Sequence, residues 1–236
     1  MKKSLLIVIT LVSASIANLN AQYVQDIVTG ERLTIKRYTG IQGTPYFDED
    51  FTTGDVYLTS GEVFTDALIR YNAYENEIEY SHEGRLYSLK NHLIREFHMR
   101  YRRGGLTDTV IFRKGYSGEG LDSETFYIVH YEGDITFIER FSQRFQEELV
   151  PGYGQPSPEK RFAPSSRLFL IREDESVDEI RKRKNSVLNA LTETSFFGRF
   201  TDEKRRELNQ LIRQENLDMG ETKDIARLLE YYDKNY

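Results

Sequence analysis

From residue 54 onward the chain repeats one arrangement. A short run of alternating apolar and polar residues is followed by a turn carrying glycine or asparagine, about every 8–12 residues. The runs cover 55–58, 63–71, 77–80, 85–89, 93–101, 107–113, 125–131, 135–141 and, after a break, 161–172. Ser60-Gly61, Glu83-Gly84, Gly104-Gly105 and Glu132-Gly133 supply turns too short for a helical crossover, so successive strands must pair antiparallel. Alternation within a run then sorts the side chains onto two faces. In 125–131, Phe126, Ile128 and His130 fall on one face and Tyr127, Val129 and Tyr131 on the other. In 93–101, Leu93, Phe97, Met99 and Tyr101 share a face, opposite His92, Ile94, Glu96, His98 and Arg100. Twisted sheets of this many strands curl or close, which predicts a curved or barrel-like sheet.

Flanking segments differ in character. Residues 22–53 read as one strand, in ERLTIKRYTG, followed by a Gly, Pro and acid-bearing loop. Residues 142–160 hold Pro151, Pro156 and Pro158 and read as a surface loop opened by a helical turn. Beyond 172 the period changes to helical. Ser176 with Glu179 forms a capping pattern before Val177, Ile180, Val187, Leu188 and Leu191. A second helix starts at Thr201 with Leu208, Leu211 and Ile212 on one face, and a third follows Gly220 with Ile225, Leu228, Leu229 and Tyr232. The expected fold is therefore α+β: an antiparallel β domain over 54–172, then a segment of about three helices over 173–236.

The start of the chain reads as an address. Lys2 and Lys3 precede an apolar run from Leu5 to Ile16, and Ala21 provides a small residue at a cleavage point before Gln22. This is the layout of a secretory signal peptide, 1–21, and the apolar run is too short for the ~20 residues of a membrane span. The expected product is exported to the periplasm, peripheral to the outer membrane at most, and does not span a membrane once cleaved. The signal removes two of the 32 basic residues and none of the 38 acids, leaving a chain more negative than the full-length −6. That balance argues against nucleic acid as a partner. The chain has no cysteine, which excludes disulfides, thiol catalysis and cysteine-held zinc or iron–sulfur sites.

Most of the residues with candidate chemistry fall on the predicted strands. Gly115-Tyr116-Ser117-Gly118-Glu119 lacks the final glycine of a nucleophile elbow. His92, Glu96 and His98 share one predicted strand face and form the best metal candidate, although a third ligand in the right place is not specified and an exposed polar face explains them more simply. No cofactor is expected. Glu75, Glu77 and Glu79 alternate along one strand, as a glycan hydrolase with paired carboxylates would need. Tyr71, Tyr74, Tyr80 and Tyr87 are candidate ligand-binding platforms beside them, against the plainer account that tyrosine suits a half-buried strand. No catalytic residue emerges from these patterns.

The segment GDVYLTSGEVFTDALIRYNAYENEIEY, with LYSL and IREFHM after it and the ending LNQLIRQENL…ETKDIARLLEYYDKNY, resembles exported envelope proteins of the Bacteroidota that are uncharacterised. The likeness covers most of the chain after the signal and includes the terminal Tyr231-Tyr232 pair. It implies an envelope protein and brings no catalytic residues. The expectation is a non-enzymatic binding or structural protein with an envelope protein partner. Two alternatives stand beside it: a carrier of a lipid-like ligand inside a barrel, and a glycan hydrolase.

Overall fold

The computed structural model describes residues 29–32, 38–103, 106–150, 157–192 and 198–236. The proposed signal segment lies outside them. Among the described residues eleven strands form one antiparallel sheet: β1 (Thr29–Arg32), β2 (Thr52–Leu58), β3 (Val63–Asn72), β4 (Glu77–His82), β5 (Arg85–Leu89), β6 (Ile94–Arg103), β7 (Leu106–Arg113), β8 (Tyr127–Tyr131), β9 (Ile135–Val150), β10 (Ser157–Arg172) and β11 (Val177–Ile180). Helices α1 (Lys184–Thr192), α2 (Gly198–Gln214) and α3 (Thr222–Asn235) follow. The α+β expectation holds, and the sheet is curved and does not close into a barrel.

The spatial order is β1-β5-β4-β3-β2-β6-β7-β8-β9-β10-β11. Two meanders, β2–β5 and β6–β11, are therefore joined by one crossover between β5 and β6. In a flat sheet this crossover would span four inter-strand gaps, roughly 19 Å. The link is only residues 90–93, three of them in a 3-10 turn, Asn91–Leu93, which rises about 2 Å per residue. So short a link requires strands β2 to β6 to curl.

Curling gives the concave face an interior. Phe97 and Phe112 stack with centroids 4.6 Å apart and planes 5° from parallel. Tyr71, Phe126 and Phe47 surround them edge-on or tilted at 4.9 to 5.4 Å, and Phe141 packs edge-on against Phe47 (5.1 Å). Ile69, Ile78, Ile94 and Met99 are fully buried in the same cluster. A second cluster lies further along this face, where α1, α2 and α3 lay Leu188, Leu191, Leu208, Ile225, Leu228 and Leu229 over Ile135, Phe137, Leu168 and Leu170. The convex face carries a smaller one, Tyr127, Ile138 and Phe169, under Tyr116 and Leu121. No helix among the described residues is long and apolar enough to cross a membrane.

The gap between the β3 end and β9–β10 is bridged by the segment before β2. Gln42 donates its N–H to the Lys160 carbonyl (2.8 Å) and accepts from the Phe162 N–H (2.9 Å). Phe47 donates to the Tyr71 carbonyl (3.0 Å), and the Pro45 carbonyl accepts from Tyr74 (3.0 Å). Gly43 sits at the tightest point, with φ +75°, and a Cβ there would lie 2.9 Å from the Phe162 carbonyl oxygen. This segment takes over the hydrogen-bonding groups that a closing strand would otherwise satisfy.

Several expectations are corrected. Residues 142–150 and 157–160 are not loop: β9 and β10 stay in register from Val150↔Ser157 to Ile135↔Arg172 as a long two-stranded arm. Pro158 and Pro164 are tolerated because their nitrogens, like that of Phe162, point to the outer edge of β10, which β11 leaves uncovered there and Gln42 bridges only between Lys160 and Phe162, so a missing N–H leaves no ladder bond unmade. Residues 177–180 are strand, not helix, paired with β10 from Leu168↔Ile180 to Ile171↔Val177. Helix begins only at Lys184. Arg172 ties this hairpin to α1 by donating to the Ala190 carbonyl (2.5 Å) and to Asp178. Two bulges also break the predicted alternation. One between Tyr57 and Leu58 turns Ile94 inward beside Leu58. The other, at His130, sets Tyr131 opposite Phe137, against the helices rather than with Val129.

Candidate functional site

The predicted tyrosines do not converge on one place. Tyr71 is a core residue, 1% exposed, whose hydroxyl donates to Asn76 Oδ1 (2.9 Å); burial pushes its pKa well up. Tyr80 and Tyr87 face one another across β4 and β5, both half-buried, and the Tyr80 ring stacks on His82 with its hydroxyl 3.2 Å from Nδ1. Burial, with Tyr87 nearby, raises the Tyr80 pKa. Tyr74 stands apart, in the turn after β3, 44% exposed.

The metal candidates separate as well. His98 Nε2 lies 3.2 Å from Glu96 Oε1, as strand neighbours on one face allow. His92 is drawn off into the 3-10 turn and is exposed. Glu96 is already held by Arg113 Nε at 2.5 Å, and no group of three or more potential ligands occurs among the described residues. Burial opposes the Arg113 charge, but the Glu96 bond and the nearby Tyr116, Glu96 and Glu132 charges outweigh it and hold its pKa above the ordinary value.

Of the three acids expected to alternate along one strand, Glu77 and Glu79 lie on β4 and Glu75 in the turn before it, and each is engaged. Glu75 accepts from the Tyr38 hydroxyl (2.8 Å) and Glu77 from Ser88 Oγ (3.4 Å). Glu79, 3% exposed, takes Nε (3.2 Å) and Nη2 (2.5 Å) of Arg70 on one oxygen and the Tyr46 hydroxyl (3.1 Å) on the other. Arg70 in turn stacks over the rings of Tyr46 (3.6 Å) and Phe51 (4.4 Å). This pair fastens the bridging segment to β3 and β4, a structural duty that no spacing rule revealed.

A third polar cluster went unread in the sequence because its members lie on three strands. Glu139 of β9 accepts from Ser166 of β10 on one oxygen and meets His130 Nε2 of β8 (2.8 Å) on the other. Burial pushes the Glu139 pKa up, and the bonds from His130 and Ser166 outweigh it, leaving it below the usual carboxylate range. The order is hydroxyl–carboxylate–imidazole. In nucleophilic triads the imidazole stands between the other two and takes the hydroxyl proton. Here hydroxyl and imidazole both spend their bonds on the carboxylate.

The base of the arm carries an exposed aromatic patch. Phe162 is buried at its base, with Tyr38 (5.5 Å) and Tyr74 (5.1 Å) packed on it and Phe145 opposite in register (6.1 Å). Tyr74 is 44% exposed and Phe145 39%. Reading 142–160 as a loop hid this patch, since only a strand puts Phe145 across from Phe162. Comparison with protein-family models, with curated proteins and with solved structures returned no match to this chain.

Proposed function

We propose that the protein is a non-enzymatic component of the bacterial envelope that works by binding a protein partner, with the aromatic patch at the base of the β9–β10 arm as the contact. The observation carrying this reading is that Tyr74 and Phe145 remain 44% and 39% exposed around a buried Phe162. Aromatic rings of this kind are enriched at the centres of protein interfaces, where large rigid groups bury area at little entropic cost. The signal-like start, with Lys2 and Lys3 before an apolar run, supports an envelope location.

The alternatives draw less support. A carrier needs interior space, and the concave face is filled by Tyr71, Phe97, Phe112 and Phe126, each at 0 or 1% exposure. A hydrolase using Glu75, Glu77 or Glu79 would have to free acids bonded to Tyr38, Ser88 and Arg70. The test is a photo-crosslinking side chain at position 145 or 74 in the producing bacterium, with Val63, 45% exposed, as the control position. One adduct of the same mass from 145 and 74, missing from 63, is expected. No adduct, or equal capture from all three positions, refutes the proposal.

A further inference from the structure

We infer that the outer face of the sheet carries a second binding site, for a neutral sugar unit, centred on Arg100. A cavity of about 660 Å³ opens there across β3, β2, β6 and β7, lined by Phe51, Thr53, Asp66, Leu68, Arg100 and Thr107. Its size falls within the range of about 300–1,000 Å³ usual for small-ligand sites. Arg100 alternates with the inward Met99 and so points to the face opposite the stacked rings. Its Nη2 carries both of its ion pairs, with Asp55 Oδ1 (3.2 Å) and Asp66 Oδ1 (2.7 Å). Its Nε is buried and bonds to nothing. A guanidinium has five N–H donors; Nε is sealed from the cavity, so the donors left for a ligand are those of Nη1, which bonds to no described residue.

Charge selects the ligand. A carboxylate or phosphate would accept from Arg100 but would also meet Asp55 and Asp66, two negative charges against one positive. A cation would meet the guanidinium. A hydroxyl suits both, accepting from Arg100 while donating to Asp66, whose side chain is 73% exposed. Thr53 and Thr107, both exposed, add hydroxyls from flanking strands, and Leu68, 42% exposed, with Phe51 offers apolar surface to the C–H face of a ring. Asp66 is held at φ +58°, and the β2–β3 register slips beside it, between Gly54 and Val56. Its N–H donates to Asp55 Oδ1 (3.0 Å). Such a conformation is costly for a residue with a side chain and clusters at binding sites.

The site lies away from Tyr74 and Phe145, so capture of a protein partner neither requires it nor tests it. The experiment titrates the ¹⁵N-labelled mature chain with maltotriose, mannotriose and chitotriose as neutral probes and with trigalacturonate as the acidic one. At least one neutral trisaccharide should shift the amides of 52–53, 66–68, 100 and 107. Thr107→Val and Leu68→Ala alter exposed side chains and leave the fold intact, and Arg100→Lys keeps the charge while removing the fork. Each should weaken binding several-fold, Arg100→Lys by about tenfold or more. The inference fails if no neutral probe binds at about 10 mM, if Thr107→Val and Leu68→Ala leave binding unchanged, or if trigalacturonate binds as tightly as the neutral probes.

Discussion

Removing the Glu79 carboxylate should unlatch the segment that bridges the open side of the sheet. In Glu79→Ala the Arg70 guanidinium, 15% exposed, loses both bonds to Oε2 and stays stacked between Tyr46 and Phe51 with its charge unpaired. Breaking a buried pair by deleting one partner costs about 3–5 kcal/mol, chiefly because the survivor stays desolvated. For a chain of this size each kcal/mol lowers Tm by about 2–4 °C, so the variant should melt roughly 6–20 °C below the parent. The double variant Arg70→Met, Glu79→Met leaves no bare charge and keeps apolar volume over Tyr46. It should therefore be more stable than Glu79→Ala, and against the single variants Arg70→Met and Glu79→Met it should show a coupling between the two sites of about 1–3 kcal/mol. Urea denaturation followed by far-ultraviolet circular dichroism measures all of these states, which suits a chain without tryptophan. Single losses that add to within about 0.5 kcal/mol would refute the argument, as would a Glu79→Ala cost below about 1 kcal/mol, because either would mean the pair holds nothing in place.

Two further outcomes follow from pH-sensitive contacts. Glu139 has a folded pKa below its ordinary 4.5, so its contribution is complete above that value and is lost as pH falls through the depressed one; Glu139→Gln should flatten the fall in urea midpoint as the pH drops below 4.5. Tyr131 donates to Asp233 Oδ2 (2.9 Å), and burial with that carboxylate raises its pKa from 10.0 to about 12; its contribution is full below pH 10 and lost as pH rises toward 12. A Cβ at Gly133 would overlap both Asp233 Oδ2 and the Tyr131 hydroxyl. Gly133→Ala should thus cost about 1–3 kcal/mol at pH 7 and reduce the alkaline loss seen in thermal melts above pH 10, and an unchanged melting curve would contradict the docking of α3.

Legibility varied with the range of the interaction that decided each feature. The hairpins 54–89 and the stripes of α2 and α3 were readable because turn chemistry and side-chain period are local properties. Ile225, Leu228 and Leu229 are all fully buried, as their spacing required. Ile94 and Tyr131 defeated the alternation because a bulge is an adjustment to the neighbouring strand and leaves no mark on its own segment. Residues 142–160 were misread because proline weighs against strand in general, whereas an edge forgives it. Among the acids, Glu79 and Glu139 owe their partners to strands nine and 27 positions away along the chain, distances at which spacing carries no information.

The chain by itself therefore determined an antiparallel β region followed by three helices, and the lack of any sulfur chemistry, because alternation, turn residues and composition need no partner to take effect. Only the tertiary structure decided the crossover from β5 to β6, the arm that carries Phe145 opposite Phe162, and the pairing of Arg70 with Glu79 and of Arg100 with Asp66. These depend on which strands curvature brings together, and curvature is settled by the packing of the whole sheet.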